Sequence, residues 1–355
     1  MPRKDKTTPP SIYPPTNQSD TGILPVTSIP KPQHGSPSKH QPPSHFPLSH
    51  FSLLTSLFSL PPGTCTLISL PPTAYVALKM SIPLEDNFED IIGKAQRGLS
   101  LNSEMLAAQA NISPEELEAL RAGTVDETAT RLVAASLNLH AESLLALGRH
   151  QWQPNPVSLD GLLVFNTAWH DMTVNAAIVF DPASKHAAIV DTGADATPII
   201  DAVAAHGLIP SLILITHTHP DHIAALPALR DAFPNAKVFV GHGELFKDAH
   251  PVSPGHVFSL GAVSVEIRET SGHAVCGMTY LFHGLAAPVA CVGDALFAGS
   301  MGGGMVSWAR ALETNRKELF SLQNHTVVVP GHGPLTTIGE EKAHNPFYPE
   351  FKSPN

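Results

Sequence analysis

The chain has 355 residues and a formal net charge of −10, enough length for two domains and a charge that disfavours general nucleic-acid binding. Three cysteines provide no disulfide framework, and no apolar run is long enough to predict a membrane span. With no recognisable secretion signal, the predicted location is cytoplasmic.

Residues 1–79 are rich in proline and serine and hold 16 of the 34 prolines. Such a segment cannot bury enough apolar surface to offset the entropy lost on ordering, so we expect a disordered extension. The apolar patch Phe51 to Leu60 is too short for a span and follows no charged segment. Met80 begins a stretch typical of a natural start, which indicates an over-extended gene with Met80 as the initiator.

Residues 80–150 are predicted to form a small all-α domain. Ser113, Pro114, Glu115 and Glu116 combine a helix cap, a proline in the first turn and acids near the positive helix end. Five short helices with a tight second-to-third turn resemble the repressor-type helix-turn-helix domain, although small helical bundles share the pattern. The predicted helices are Phe88 to Gly98, Asn102 to Ala110, Pro114 to Ala122, Asp126 to Ser136 and Ala141 to Leu147.

The charges of this helical domain disfavour DNA binding. Residues 84–149 hold five basic residues against eleven acidic ones, and the would-be recognition helix presents Glu115, Glu116 and Glu118. Carboxylates are repelled by phosphates, whereas DNA binding needs lysine and arginine to replace counterions. We therefore expect docking or homodimerisation through this domain, with a DNA-binding regulator as the alternative.

Residues 151–355 are predicted to alternate strands with helices, which is typical of sheets covered on their outer faces. The predicted helices lie near 197–206, 222–232 and 309–321. The predicted strands are 161–167, 174–180, 187–190, 211–215, 236–240, 263–267, 278–282, 288–292 and 326–329.

The segment after the apolar run 212–215 carries four potential metal ligands within six residues: His217, His219, Asp221 and His222. Imidazole and carboxylate groups at this density are what a transition-metal site needs. The alternative, a surface histidine tract, is disfavoured because three later strands also end in glycine-flanked ligands. These are His273, Asp294 and His332, and loops at strand ends are where open sheets place their sites.

With these residues the sequence resembles the metallo-β-lactamase-fold hydrolases, and within them the short-tailed bacterial glyoxalase II-like branch, over about residues 160–346. His217 to His222 fit the family's H-x-H-x-D-H signature, and Asp191-Thr192-Gly193 resembles its upstream D-x-G loop. Pro330 to Glu341 resembles the end of the short-tailed members. The resemblance implies a four-layer αββα sandwich, preceded here by the small helical bundle.

The resemblance also implies a role for each ligand. His217, His219 and His273 would hold one metal ion, and Asp221, His222 and His332 a second, with Asp294 bridging both. Asp191 would steady the histidine loop by hydrogen bonds, unless it forms only an Asp-Thr-Gly turn. The expected cofactors are two divalent ions, zinc foremost, with iron or manganese as alternatives.

The implied activity is hydrolysis of a small-molecule thioester or lactone-like ester by a metal-bridged hydroxide that Asp221 and Asp294 orient. The alternative on the same fold is a persulfide dioxygenase with one iron. The family's basic residue after the bridging aspartate is absent from Gly299 to Val306, and no basic C-terminal cluster for glutathione is present. The glycine triplet at 302–304 predicts either close backbone approach to a substrate or a flexible surface turn. Cys276 and Cys291 are predicted to be small buried residues.

Overall fold

The computed structural model describes residues 82–244 and 246–352, all of which belong to one compact unit. The predicted disordered extension and the start at Met80 lie outside the described residues. Among residues 82–352, no helix is both long enough and apolar enough to cross a bilayer.

Five helices make up the helical region, residues 88–148: α1 Phe88–Gly98, α2 Ser103–Ala110, α3 Pro114–Arg121, α4 Glu127–Ser136 and α5 Ala141–Gly148. Local signals set their ends. The Ser113 hydroxyl accepts a hydrogen bond from the Glu116 backbone at 3.1 Å, and the Glu116 carboxylate accepts one from the Ser113 backbone at 2.7 Å. Asn111 adopts a left-handed conformation with φ 53° and ends α2. The division of the chain at residue 150 stays a prediction.

Twelve strands form two six-stranded sheets. The first sheet contains β1 Leu162–Trp169, β2 Met172–Phe180, β3 His186–Val190, β4 Ile209–Leu214, β5 Lys237–Gly241 and β6 His250–Val252, in that order. The second contains β7 Val257–Leu260, β8 Val263–Glu269, β9 Met278–His283, β10 Val289–Gly293, β11 Val327–Pro330 and β12 Thr336–Thr337, also in chain order. In the first sheet β3 to β6 pair in parallel, and in the second β10 and β11 do.

The remaining helices lie between or after these strands: α6 Thr197–His206, α7 Pro220–Ile223, α8 Leu226–Ala232, α9 Trp308–Thr314, a π-helical turn Asn315–Leu319, α10 Ile338–His344 and a 3₁₀ turn Pro349–Phe351. The predicted helical stretch near 222–232 is divided into α7 and α8, because Pro227 lacks the N–H that a continuous helix needs and instead lies in the first turn of α8. The strands β6, β7 and β12 and the helix α10 were not predicted; these elements are short and show little periodicity.

Three apolar clusters define the layers. One lies between the two sheets, with Val179 and Leu214 of the first sheet meeting Val265 and Phe282 of the second. Another joins the outer face of the first sheet to α6 and α8. The third joins the outer face of the second sheet to α9, α10 and the helical region, so that all five N-terminal helices share a core with that sheet. The order helix, sheet, sheet, helix agrees with the implied four-layer sandwich.

Candidate metal centre

The predicted ligands lie beyond the ends of strands from both sheets, in loops or, for Asp221 and His222, in the short helix α7. His217, His219, Asp221 and His222 follow β4, and His273 lies between β8 and β9. Asp294 directly follows β10, and His332 comes two residues after β11. Packing of the two sheets brings these ends together, so residues up to 115 positions apart in the sequence, from His217 to His332, face one small volume.

The first ligand group comprises His217, His219, His273 and Asp294. Nδ1 of His219 lies 3.0 Å from Nε2 of His217 and 3.0 Å from Nε2 of His273. Oδ2 of Asp294 lies 3.3 Å from Nε2 of His273 and 4.0 Å from Nε2 of His217. Ligands around a tetrahedral zinc ion lie about 3.3 Å apart when metal–nitrogen bonds are about 2.0 Å. The group therefore has the spacing of a metal site.

The second ligand group comprises Asp221, His222 and His332, and it also faces Asp294. Oδ2 of Asp221 lies 3.2 Å from Nε2 of His332 and 3.5 Å from Nε2 of His222. Oδ1 of Asp294 lies 3.3 Å from Nε2 of His222 and 3.5 Å from Nε2 of His332. Asp294 thus presents one carboxylate oxygen to each group, which is the arrangement that a bridging ligand requires.

Two buried polar atoms indicate that this donor set fits metal ions. Nε2 of His222 and Oδ1 of Asp294 are buried, and neither has a well-formed hydrogen bond within the described part of the chain. Leaving such atoms unsatisfied costs on the order of 1–3 kcal/mol each. A cation in the second group would satisfy both atoms at once.

Asp191, which follows β3, supports both groups. Its Oδ1 accepts a hydrogen bond from the Thr216 backbone at 2.7 Å, and its Oδ2 accepts one from the Thr216 hydroxyl and one from Nδ1 of His222, each at 2.8 Å. The Thr216 hydroxyl oxygen in turn lies 3.1 Å from Nδ1 of His217. One carboxylate therefore orients an imidazole of each group, which a simple Asp-Thr-Gly turn would not do.

Backbone carbonyls orient two further imidazoles. Nδ1 of His273 donates to the Gly303 carbonyl at 2.9 Å, and Nδ1 of His332 donates to the Thr173 carbonyl at 2.6 Å. Gly302 is buried, and a side chain there would overlap the carbonyl of Asp294. Gly302 and Gly303 therefore contact the ligands Asp294 and His273, whereas Gly304 faces Trp308. The surface-turn alternative does not describe Gly302.

The charges in the site are strongly coupled. Burial alone would lower the pKa of His222, but the carboxylates of Asp191 and Asp294 raise it to about 10. Burial alone would also lower the pKa of His332, but Asp221 and Asp294 raise it to about 11. Burial raises the pKa of Asp294, but the two histidines overcome it and hold this pKa well below the usual range. Without metal, protons on these histidines take the place of cation charge.

Glu85, in the segment before α1, is a charged neighbour of the site that the sequence did not indicate. A side chain at Gly333 would lie 3.1 Å from the Glu85 backbone nitrogen, which places Glu85 beside the loop of His332. Burial raises the pKa of Glu85 to about 7, against an opposing effect of His332. No sequence motif around Glu85 predicts a role at a metal site, so only the fold shows that it lies near His332.

An apolar cavity of about 490 Å³ opens close to the same loop. Its walls include Leu84, Val157, Val164 and Leu335. Pro334, two residues beyond His332, also contacts it. None of the seven ligands lines the cavity, so it lies beside the loop of His332 and not at the ligands themselves.

Residues 171–332 match the model of the metallo-beta-lactamase superfamily. A probable metallo-hydrolase of Streptococcus pyogenes serotype M6 is 31% identical over 45% of this chain and 80% of its own length. A hydroxyacylglutathione hydrolase, GloC, of Haemophilus influenzae is 27% identical over 49% of this chain and 92% of its own length. Among solved structures, the BLEG-1 B3 metallo-beta-lactamase is 30% identical and covers 52% of this chain and 99% of its own, with a TM-score of 0.46.

Proposed function

Because the chain belongs to the metallo-beta-lactamase superfamily, we propose that it is a metal-dependent hydrolase that cleaves a thioester or a lactone-like ester. The observation that carries this proposal is the position of Asp294, whose two oxygens face separate histidine groups at 3.3 Å. Such a paired site suits hydrolysis, because it can stabilise both the attacking oxygen and the leaving thiolate or alkoxide.

The relatives favour a thioester substrate. Several of them are named hydroxyacylglutathione hydrolases, among them the Haemophilus influenzae protein and one from Xanthomonas euvesicatoria that is 31% identical over 57% of its own length. The present chain lacks a basic residue between Gly299 and Val306. This segment therefore provides no cation for the carboxylates of a glutathione moiety.

Two divalent ions in this centre would lower the pKa of a water molecule between them and polarise the substrate carbonyl. The protein would contribute orientation and charge. Asp221 and Asp294 would accept hydrogen bonds from the attacking water and align it with the carbonyl carbon. Asp191 would keep His217 and His222 in the orientations that present Nε2 to the site.

The cavity beside Pro334 supplies a place for the apolar part of the substrate. In its lining, Leu84, Val164 and Leu335 suit an acyl chain or an apolar lactone tail, and Asn155 and Asn166 supply polar contacts. Because Leu84 precedes α1, the segment leading into the helical region would help to select the substrate.

The test combines metal analysis of the purified full chain with a panel of four substrate classes: a hydroxyacylglutathione thioester, a longer acyl thioester, a lactone and a phosphodiester. We expect two metal ions per chain and hydrolysis of a thioester or lactone, lost in Asp294→Ala and kept in the control Cys291→Ser. No hydrolysis with both sites loaded would contradict the proposal. One iron per chain with oxygen consumption on a persulfide would favour the dioxygenase alternative.

For the helical region we propose docking or homodimerisation rather than DNA binding. Four of the five basic side chains in residues 84–149 contact other side chains of the same segment. Arg131 and Arg149 pair with Glu127, Lys94 pairs with Asp86, and Arg121 donates to Gln96 at 2.6 Å. Sedimentation of the purified protein and a gel-shift assay at low salt would separate these alternatives.

A further inference from the structure

A third group of potential metal-binding side chains lies outside the first and second ligand groups described above. It comprises His242, Glu269 and Cys276, whose ligand atoms lie within 4.8 Å of one another. His242 directly follows β5 of the first sheet, Glu269 ends β8 of the second, and Cys276 lies in the loop before β9. Because three separate segments supply one imidazole, one carboxylate and one thiol, no local sequence motif reveals the cluster.

The distances suit a small tetrahedral ion. Sγ of Cys276 lies 3.3 Å from Nδ1 and 3.9 Å from Nε2 of His242. With metal–sulfur bonds of about 2.3 Å and metal–nitrogen bonds of about 2.0 Å, the two ligand atoms of a tetrahedral zinc site lie about 3.5 Å apart. The two measured distances bracket this value, so only a small rotation of the imidazole is needed.

The surroundings hold each ligand in place. Oε1 of Glu269 accepts hydrogen bonds from the Ser271 hydroxyl and the Arg310 guanidinium, both at 2.6 Å. No hydrogen bond among the described residues uses Oε2, which leaves that oxygen for a cation. Outer hydrogen bonds of this kind orient metal ligands in proteins.

Glycines on both sides of His242 let Cys276 approach. A side chain at Gly241 would overlap the Cys276 carbonyl, and one at Gly243 would lie 2.9 Å from the Cys276 Cβ. The Cys276 backbone nitrogen also donates to Glu244 at 3.2 Å. Glu244 accepts a hydrogen bond from Thr218, which stands between the ligands His217 and His219. The cluster therefore adjoins the histidine loop without sharing a ligand with it.

We propose that His242, Glu269 and Cys276 form a third metal site that binds a borderline divalent ion of the zinc class through one nitrogen, one oxygen and one sulfur. Thiolate and imidazole donors select such ions over magnesium or calcium. His242 is exposed, which gives the ion a path from solvent and leaves a fourth position for water. On binding, the ion replaces the thiol proton of Cys276, which is released to solvent.

Cobalt(II) is the probe, because a cobalt–thiolate bond produces a near-ultraviolet charge-transfer band that nitrogen and oxygen ligands do not. The seven ligands of the candidate metal centre contain no sulfur, so the band reports on the third site alone. The protein is the full chain carrying Cys65→Ser, which removes the cysteine outside the described residues. We expect the band on addition of cobalt, and its loss in Cys276→Ser.

Cys291→Ser is the matched control, because Cys291 is equally buried but belongs to no ligand cluster among the described residues, and it should keep the band. His242→Ala should weaken cobalt binding by about tenfold or more. Because His242 is exposed, this variant tests the site even if the buried substitution Cys276→Ser prevents folding. His217→Ala should keep the band, which separates this test from the proposed hydrolase. Absence of the band at saturating cobalt, or its persistence in Cys276→Ser, would overturn the proposal.

Discussion

The helical region and the metal centre are built in opposite ways. In the helical region, caps join residues three apart, as between Asn102 and Met105 or between Asp126 and Ala129. In the metal centre, the contacts join residues such as His219 and His273, 54 positions apart, and Thr173 and His332, 159 positions apart. Local hydrogen bonds set where each helix begins and ends, although the shared apolar core stabilises it, whereas the ligands meet only after both sheets have packed.

The two regions nevertheless meet at the loop after Asp294. Lys94 of α1 donates to the Met301 carbonyl at 2.7 Å, and the Ser300 hydroxyl donates to Asp86 at 2.5 Å. The same loop carries Gly303, whose carbonyl orients His273. The helical region therefore helps to hold a loop that contacts the ligands.

The largest expected effect follows from removing a ligand. His217→Ala should remove metal from the first group and abolish nearly all hydrolysis, whereas Asp191→Ala, which removes only an orienting partner, should cost on the order of 10–100-fold. Elemental analysis and turnover of both variants would measure the difference. Wild-type metal content and rate in His217→Ala would show that the ligand assignment is wrong.

The bridging carboxylate should matter to both groups at once. Asp294→Asn keeps the shape but removes the negative charge that two neighbouring cations need, so metal content should fall in both groups, much as in Asp294→Ala. His332→Ala should empty mainly the second group. Two retained metals and near-normal turnover in Asp294→Asn would show that Asp294 is not the bridging ligand.

Metal uptake should depend steeply on pH. In the metal-free protein the pKa values of His222 and His332 are raised from 6.5 to about 10 and about 11, so both are protonated at neutral pH. Binding must release about two protons, so apparent affinity should increase as pH rises, by about tenfold per pH unit for each proton. Competition titrations with a metal indicator between about pH 6 and 8 would measure it.

The same histidines set the stability of the metal-free protein, with the opposite trend. Their raised pKa values contribute stability that is fully present below 6.5 and is lost as pH rises through about 10 and about 11. Asp191→Asn removes the carboxylate that most raises the pKa of His222, so it should make both trends shallower. Metal affinity that does not change with pH would contradict this assignment of charges.

The smallest expected effect lies in the helical region. Ser113→Ala removes the cap of α3 and should cost about 1 kcal/mol of unfolding free energy, with metal content and turnover unchanged. Ser136→Ala is the control, because that hydroxyl only donates to the Leu132 carbonyl within α4. Thermal denaturation should separate the two variants. A loss of turnover in Ser113→Ala would show that the helical region is coupled to the site more tightly than its local bonds suggest.

Much of the fold and the ligand list could be predicted because their signals are short-range. The strand before His217 and the glycine beside His273 are read within a few residues, and so is the proline of α3. The strands β6 and β12 could not be predicted in this way. With three and two residues, they are too short to show an alternating pattern and form only by pairing with a neighbouring strand.

The sequence by itself determined which residue types stand at the strand ends and where the helices are capped. Only the tertiary structure decided which atoms meet: that Asp294 divides its oxygens between two groups, that Asp191 reaches His217 through Thr216, and that Glu85 lies beside the loop of His332. The cluster of His242, Glu269 and Cys276 is of the same kind. The physical reason is that side chains from distant segments become neighbours only when two sheets pack face to face, and that packing depends on the whole apolar core.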